Sequence, residues 1–295
     1  MTASASGPPD APGVPTCYRH PGRETYVSCV RCGRYACPDC LRSAAVGQQC
    51  VECVRGASRG TPAARTAFGG RIVTGAFVTW ALVGINIALF LVVMARPGLQ
   101  EALGMIGLAS NGQGALAGVG AGQWYRLITS AFVAPAGLGG LGFMDIVFNM
   151  WALIVVGPAL ERMLGSARYL AVYLLSAAGG SVMLYYIAPN ELAMGASGAV
   201  FGLFGAWFVV SRRLRLDSRW IVLLIAINLG FSFLVPHIAW QDHLGGLITG
   251  ALLTAAYAYA PRTQRRLLQG GATVAVLALL AVAVIARNAQ LGVGL

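Results

Sequence analysis

The sequence predicts an all-α polytopic membrane protein with a small metal-binding module in front of it, on three observations. Only 11% of the 295 residues are charged and 57% are hydrophobic, where a soluble globular chain carries about 25% charge. From Ile72 onward, seven apolar runs follow one another. Ahead of them, residues 16–55 hold all seven cysteines of the chain, set with one histidine in four pairs of equal spacing.

Taken in order, residues 1–15 (MTASASGPPDAPGVP) are rich in Pro, Gly, Ala and Ser and read as a disordered tail. They lack the basic stretch and apolar core of a secretory signal. Residues 16–55 form the cysteine module, and residues 56–71 (GASRGTPAARTAFGGR) read as a basic, Gly/Ala-rich linker. The membrane domain is expected over residues 72–288. Its runs are Ile72–Met94, Phe143–Leu160, Arg168–Ala188, Ser197–Ser211, Trp220–Val235, Gln241–Ala260 and Gly271–Ala286. A bilayer core needs about 20 apolar residues per helix. The fourth run is short and is expected to start below the membrane surface, shielded by its neighbours. Between the first two runs, the Gly-rich but apolar segment from Pro97 to Gly142 reads as a membrane-associated loop.

The chain has 21 basic residues against 10 acidic ones, a net charge of +11, and every basic residue is arginine. No basic patch is interleaved with aromatics, which argues against a nucleic-acid partner. The arginines instead mark topology. With the N-terminus in the cytoplasm, Arg162, Arg168, Arg212, Arg213, Arg215, Arg219, Arg262, Arg265 and Arg266 fall inside, against Arg96, Arg126 and Arg287 outside. The positive-inside rule then predicts a multi-pass cell-membrane protein with its N-terminus inside and its C-terminus outside.

The cysteine module reads Cys17-x-x-His20, Cys29-x-x-Cys32, Cys37-x-x-Cys40 and Cys50-x-x-Cys53. A two-residue gap lets both side chains of a knuckle reach one metal, and two knuckles close a tetrahedral site. Eight ligands therefore predict two structural zinc ions. Disulfides would leave an odd thiol and are rare in the reducing compartment that the topology assigns. The block resembles B-box or RING-like cross-braced fingers. That resemblance implies that Cys17, His20, Cys37 and Cys40 hold one ion and Cys29, Cys32, Cys50 and Cys53 the other. Sequential pairing stays open on spacing alone. With so little apolar core, such a module is folded mainly by its metals.

Polar residues inside apolar runs are functional candidates by default. Ser197, in Gly195-Ala196-Ser197-Gly198, precedes an apolar helix. It reads as an N-cap or as a nucleophile beside backbone N–H groups that hold an oxyanion. His243 favours the second reading. Positions 243, 246 and 250 share a helix face, so His243 stands above Gly246 and Gly250. Gly198, Gly202 and Gly205 form a matching stripe, and two such stripes let helix backbones approach closely. His243 Nε2 is then expected within reach of Ser197 Oγ. Asp242 projects away and is a poor orienter.

Apolar run, G-x-S-G, apolar run and H-x-x-G-x-x-x-G two helices later resemble the rhomboid intramembrane serine proteases, over roughly residues 72–288. Trp124-Tyr125-Arg126 is similar to that family's Trp-Arg loop signature. Phe148-Asn149-Met150-Trp151 is similar to its oxyanion asparagine motif, and Leu160-Glu161 with Gly165 to the end of the same helix. The resemblance implies a six-helix bundle plus a seventh helix and a Ser197–His243 dyad with no catalytic cofactor. It also implies an oxyanion site at Asn149 and the Ser197 N–H, and an aromatic, Phe201, packed beneath His243. The substrates implied are transmembrane proteins. In one departure, Asp145 stands where the family usually has histidine, four residues before Asn149. An ionised carboxylate there would repel the oxyanion, so Asp145 is expected to act as a neutral hydrogen-bond donor. The competing readings are a rhomboid-like pseudoprotease and a membrane-anchored zinc scaffold whose finger engages a cytoplasmic partner.

Overall fold

A computed structural model describes residues 13–60, 65–110, 116–135, 141–235 and 238–293. It divides into two compact units, Met1–Ala64 and Arg65–Leu295.

The first unit is two short hairpins and a helix. Strand β1 (Thr16–Cys17) pairs with β2 (His20–Glu24), and β3 (Leu41–Ser43) with β4 (Gln48–Cys50). Helix α1 (Val51–Gly60) follows without a break. Its interior is chiefly cysteine: Cys17, Cys29, Cys37, Cys40 and Cys50 are buried with only Ala36 and Leu41 beside them. An apolar core of that size does not fold a domain alone.

The described parts of the expected linker over residues 56–71 fall into the two units. Residues up to Gly60 complete α1, with Glu52 in the first turn and Arg59 in the last, as the helix dipole favours. Residues 65–71 belong to the second unit. Phe68 is buried there, and its carbonyl accepts a hydrogen bond from Gln269 Nε2 at 3.0 Å. Composition concealed a single aromatic with a place in the core.

The second unit is helical: α2 (Phe77–Ala95), α3 (Gly98–Leu103), α4 (Arg126–Thr129), α5 (Leu141–Leu164), α6 (Ser166–Ile187), α7 (Ser197–Leu214), α8 (Arg219–Leu234), α9 (Trp240–Tyr259) and α10 (Arg265–Gln290). Each of the seven apolar runs lies in one helix: α2, α5, α6, α7, α8, α9 and α10. The first helix starts at Phe77 rather than Ile72, and the last is longer at both ends than expected. Among the described residues, four helices are long and apolar enough to cross a membrane: Phe77–Ala95, Gly142–Leu164, Ser166–Ile187 and Arg265–Gln290.

Helices α6, α7 and α9 form the centre, with α7 pressed on α9 most closely of all. Glu161, fully buried near the end of α5, ties two further helices to it. Its carboxylate accepts the backbone N–H groups of Val78 (3.1 Å) and Thr79 (2.9 Å) at the start of α2, the Thr79 hydroxyl (2.9 Å) and the Ser166 hydroxyl (2.6 Å) on α6. First-turn N–H groups lack helical partners, so one acid caps α2. Of the seven long helices, α8 touches its neighbours least. Of its 16 residues only Ile221 and Ser232 are buried. The described residues between α2 and α5 form a folded substructure, with Met105, Val119, Ala131 and Val133 buried and Met105 bridged to Ala193.

Candidate active site and metal centres

The α7–α9 contact is made of glycine. A Cβ on Gly246 would collide with the carbonyl of Gly198, and one on Gly250 with that of Gly202. Gly205 continues the stripe against Leu247 and Ala251. Small residues at this spacing let the two backbones touch. Ser197 opens α7 one residue before Gly198, and His243 lies one turn before Gly246 on α9. Both therefore sit at the same end of this contact.

Phe201, one turn after Ser197, lies flat under the His243 ring, with centroids 4.3 Å apart and planes 11° from parallel. The imidazole is thereby held over the face of α7 that carries Ser197. His243 is buried and Ser197 half-buried. Among the described residues no hydrogen bond joins the two; such bonds are often long until substrate arrives.

The other ring nitrogen has a partner that the sequence did not reveal. Ser232 Oγ on α8 stands 2.7 Å from His243 Nδ1, and both residues are buried. Asp242, set aside as an orienter, lies against the start of α7. A Cβ on Gly198 would collide with the Asp242 carboxylate.

The G-A-S-G loop is held by Gly195. Its φ of +130° lies where side-chain-bearing residues are strained, and its N–H donates to the Ser130 carbonyl at 3.0 Å. Asp145 approaches the same glycine: a Cβ there would lie 3.0 Å from Asp145 Oδ2. Asn149 is buried and donates from Nδ2 to Asp145 Oδ1 at 3.0 Å. Asp145 Oδ2 is buried without a hydrogen-bond partner among the described residues. The structure thus brings Asp145, Asn149 and Gly195 together.

Trp124 and Arg126 act at a distance from this cluster. Arg126 is buried and donates to the carbonyls of Glu101 (2.7 Å) and Gly104 (2.6 Å) and to Gln123 Oε1 (2.7 Å), tying α3 to α4. Trp124 packs against the cluster of Met105, Val119 and Tyr185. Beside Ser232, a cavity of about 380 Å³ is lined by Glu191, Leu192, Trp240 and Gln241 among others. His237 lies outside the described residues.

In the first unit the ligand atoms form two groups. They are Cys17, His20, Cys37 and Cys40, and Cys29, Cys32, Cys50 and Cys53, each within 4.8 Å of one another. First knuckle pairs with third and second with fourth. The His20 Nδ1 lies 3.7 Å from Cys17 Sγ and 3.4 Å from both Cys37 Sγ and Cys40 Sγ, and Cys32 Sγ is 3.8 Å from Cys50 Sγ. Tetrahedral zinc with Zn–S of about 2.3 Å and Zn–N of about 2.0–2.1 Å gives edges of roughly 3.5–3.8 Å, so the donor sets fit that ion. All seven cysteines are free thiols. The Cys29 thiol is drawn down to about 6, chiefly by the backbone N–H of Cys50 and also by those of Arg31 and Cys32; such amides favour the thiolate that a metal binds.

A family model described as the Rhomboid domain matches residues 121–261, a span that holds Trp124, Arg126, Asp145, Asn149, Ser197, Phe201 and His243. Rhomboid protease GluP of Bacillus subtilis (strain 168) is 34% identical over 183 residues, covering 60% of this chain and 34% of that protein. Rhomboid-type serine protease 2 of Emericella nidulans is 33% identical over 151 residues, covering 48% and 29%. YdcA of Bacillus subtilis (strain 168), a further rhomboid relative, is 40% identical over 143 residues, covering 46% of this chain and 69% of that protein. The chain belongs to the rhomboid family. It is an all-α integral membrane protein: a six-helix rhomboid bundle, α2 and α5 to α9, with α10 as a seventh. As a rhomboid it spans about a third of the length of GluP and about two thirds of that of YdcA. The cysteine module and α10 lie outside the matched domain.

Proposed function

We propose that this rhomboid is an intramembrane serine protease that cuts peptide bonds of transmembrane proteins through Ser197 and His243. The observation that carries this reading is the His243 ring stacked on Phe201 over the helix face of Ser197. His243 Nε2 removes the Ser197 proton as Oγ bonds to the scissile carbonyl carbon, and the carbonyl π pair moves onto its oxygen. That oxyanion is met by the Ser197 N–H and the free proton of the Asn149 amide. As the tetrahedral intermediate collapses, the C–N bond breaks and the departing amine takes the proton from Nε2. A water, deprotonated by His243, then attacks the acyl-serine. The acid leaves and Ser197 regains its proton.

The fit of the two donor sets supports zinc as their metal, each ion in a closed structural site that takes no part in the chemistry. The arginine distribution supports a cytoplasmic N-terminus and an outside C-terminus in the cell membrane, with the lipid bilayer around the bundle. The module then faces the cytoplasm, where a protein partner is its natural ligand.

A second reading, a pseudoprotease that binds membrane clients without cutting them, draws on the Asn149 amide already engaged by Asp145. A fluorophosphonate probe distinguishes the two. Labelling that is lost in Ser197→Ala, together with cleavage of a model transmembrane substrate, is expected. No labelling of folded wild-type protein would favour the pseudoprotease.

A further inference from the structure

Ser232 makes two contacts, and together they decide where its proton lies. Its Oγ is 2.7 Å from the carbonyl oxygen of Asn228, one turn earlier on α8, and 2.7 Å from His243 Nδ1. A hydroxyl has one proton and two lone pairs, and a carbonyl oxygen only accepts. The Ser232 proton is therefore committed to Asn228, a back-bond common for serine inside helices. What remains toward His243 is a lone pair, and a lone pair requires a donor opposite it. Nδ1 then carries hydrogen, and in a neutral imidazole Nε2 is bare.

Among the described residues no carboxylate is hydrogen-bonded to His243 Nδ1. The Asp242 carboxylate lies against Gly198, and that of Asp145 accepts from Asn149. The second face of the ring problem, its tilt, is set by Phe201. Ser232 is also the only buried polar side chain of α8, and among the described residues this bond is the polar link by which that loosely held helix reaches the site.

We propose that Ser232 is a positioning residue that fixes His243 as the Nδ1–H tautomer, leaving Nε2 free to accept the Ser197 proton. The role is that of the third member of a catalytic triad, filled by a neutral hydroxyl from a different helix. It rests on the protease reading for its consequence in turnover, but the tautomer itself does not.

The test is made on the full-length protein labelled with ¹⁵N-histidine, with His243 signals assigned by their loss in His243→Gln. At neutral pH, nitrogen shifts should show protonated Nδ1 and bare Nε2 in wild type and equally in Ser197→Ala. In Ser232→Ala the two tautomers should mix, and kcat should fall about tenfold, the worth of one hydrogen bond, with KM unchanged. Ser232→Thr, which keeps the hydroxyl, should restore both. An Nε2–H tautomer in wild type would overturn the proposal without any variant having to fold. So would a Ser232→Ala protein with the wild-type tautomer and kcat. Turnover that survives Ser197→Ala would instead refute the protease reading and leave the tautomer result standing.

Discussion

His243 and Phe201 lie face to face, 4.3 Å between ring centroids and 11° from parallel. Phe201 is one turn from Ser197, so the aromatic ring is a platform that carries the imidazole to the Ser197 side of α7. An aromatic pair is worth about 0.5–1.5 kcal/mol beyond the area it buries, and about 1.4 kcal/mol is tenfold in rate. Phe201→Leu keeps apolar bulk but loses the flat face, so its kcat should fall on the order of 2- to 12-fold. Phe201→Tyr should retain the rate. Steady-state kinetics on a model transmembrane substrate, with melting curves beside them, check this. A Leu variant with wild-type kcat would make Phe201 simple filler.

The glycine contact predicts a sharp positional contrast. Gly246→Ala drives a methyl group into the Gly198 carbonyl, and overpacking of this kind costs about 1–3 kcal/mol. The variant should melt earlier and lose activity, because α9 must back away from α7. Gly84, which has open space around it on α2, should accept alanine with no loss of stability. Equal melting temperatures for the two variants would contradict the packing described.

Asp145 should tolerate loss of its charge but not of its side chain. In Asp145→Asn the new carbonyl still accepts from Asn149, and its amide adds a donor near Gly195. The kcat should be equal or higher. Asp145→His should behave like family members with histidine there. Asp145→Ala removes the Asn149 anchor and should lower kcat several-fold. A tenfold drop for Asp145→Asn would mean that the ionised carboxylate is required.

For the cysteine module, metal analysis should find two zinc ions per chain. A strong chelator should unfold the first unit, since metal binding and folding are one process in such modules. The helices should keep their circular dichroism, and proteolysis of a model substrate should continue. Less than one zinc in protein purified without chelator would count against the assignment.

The seven helices were legible because lipid forces long apolar runs on any chain that crosses it. Ser197, His243 and Asn149 stood out for the same reason, as polar residues where polar residues are costly. The cysteine knuckles announced metal sites, but only the folded hairpins distinguish cross-braced from sequential pairing. Ser232 was not legible. A serine in an apolar helix can satisfy itself on its own backbone, as Ser232 does on Asn228, and nothing in spacing shows that its lone pair meets a histidine on the next helix. Asp242 was read as projecting away from His243, and helix geometry says nothing of its approach to Gly198. Phe68 was lost for a simpler cause: one aromatic among glycine, alanine and arginine does not register as core.

The ligand sets of the module alternate along the chain, first with third and second with fourth. Each metal therefore closes a loop that contains half of the other's donors. Neither half of the segment can be cut away to leave an intact centre, and losing one ion frees the stretch on which the other depends. Intermediate loading should be scarce at equilibrium, with chains either empty or doubly filled. A module that binds metal in this way would respond to metal supply as one all-or-none element rather than as two graded ones.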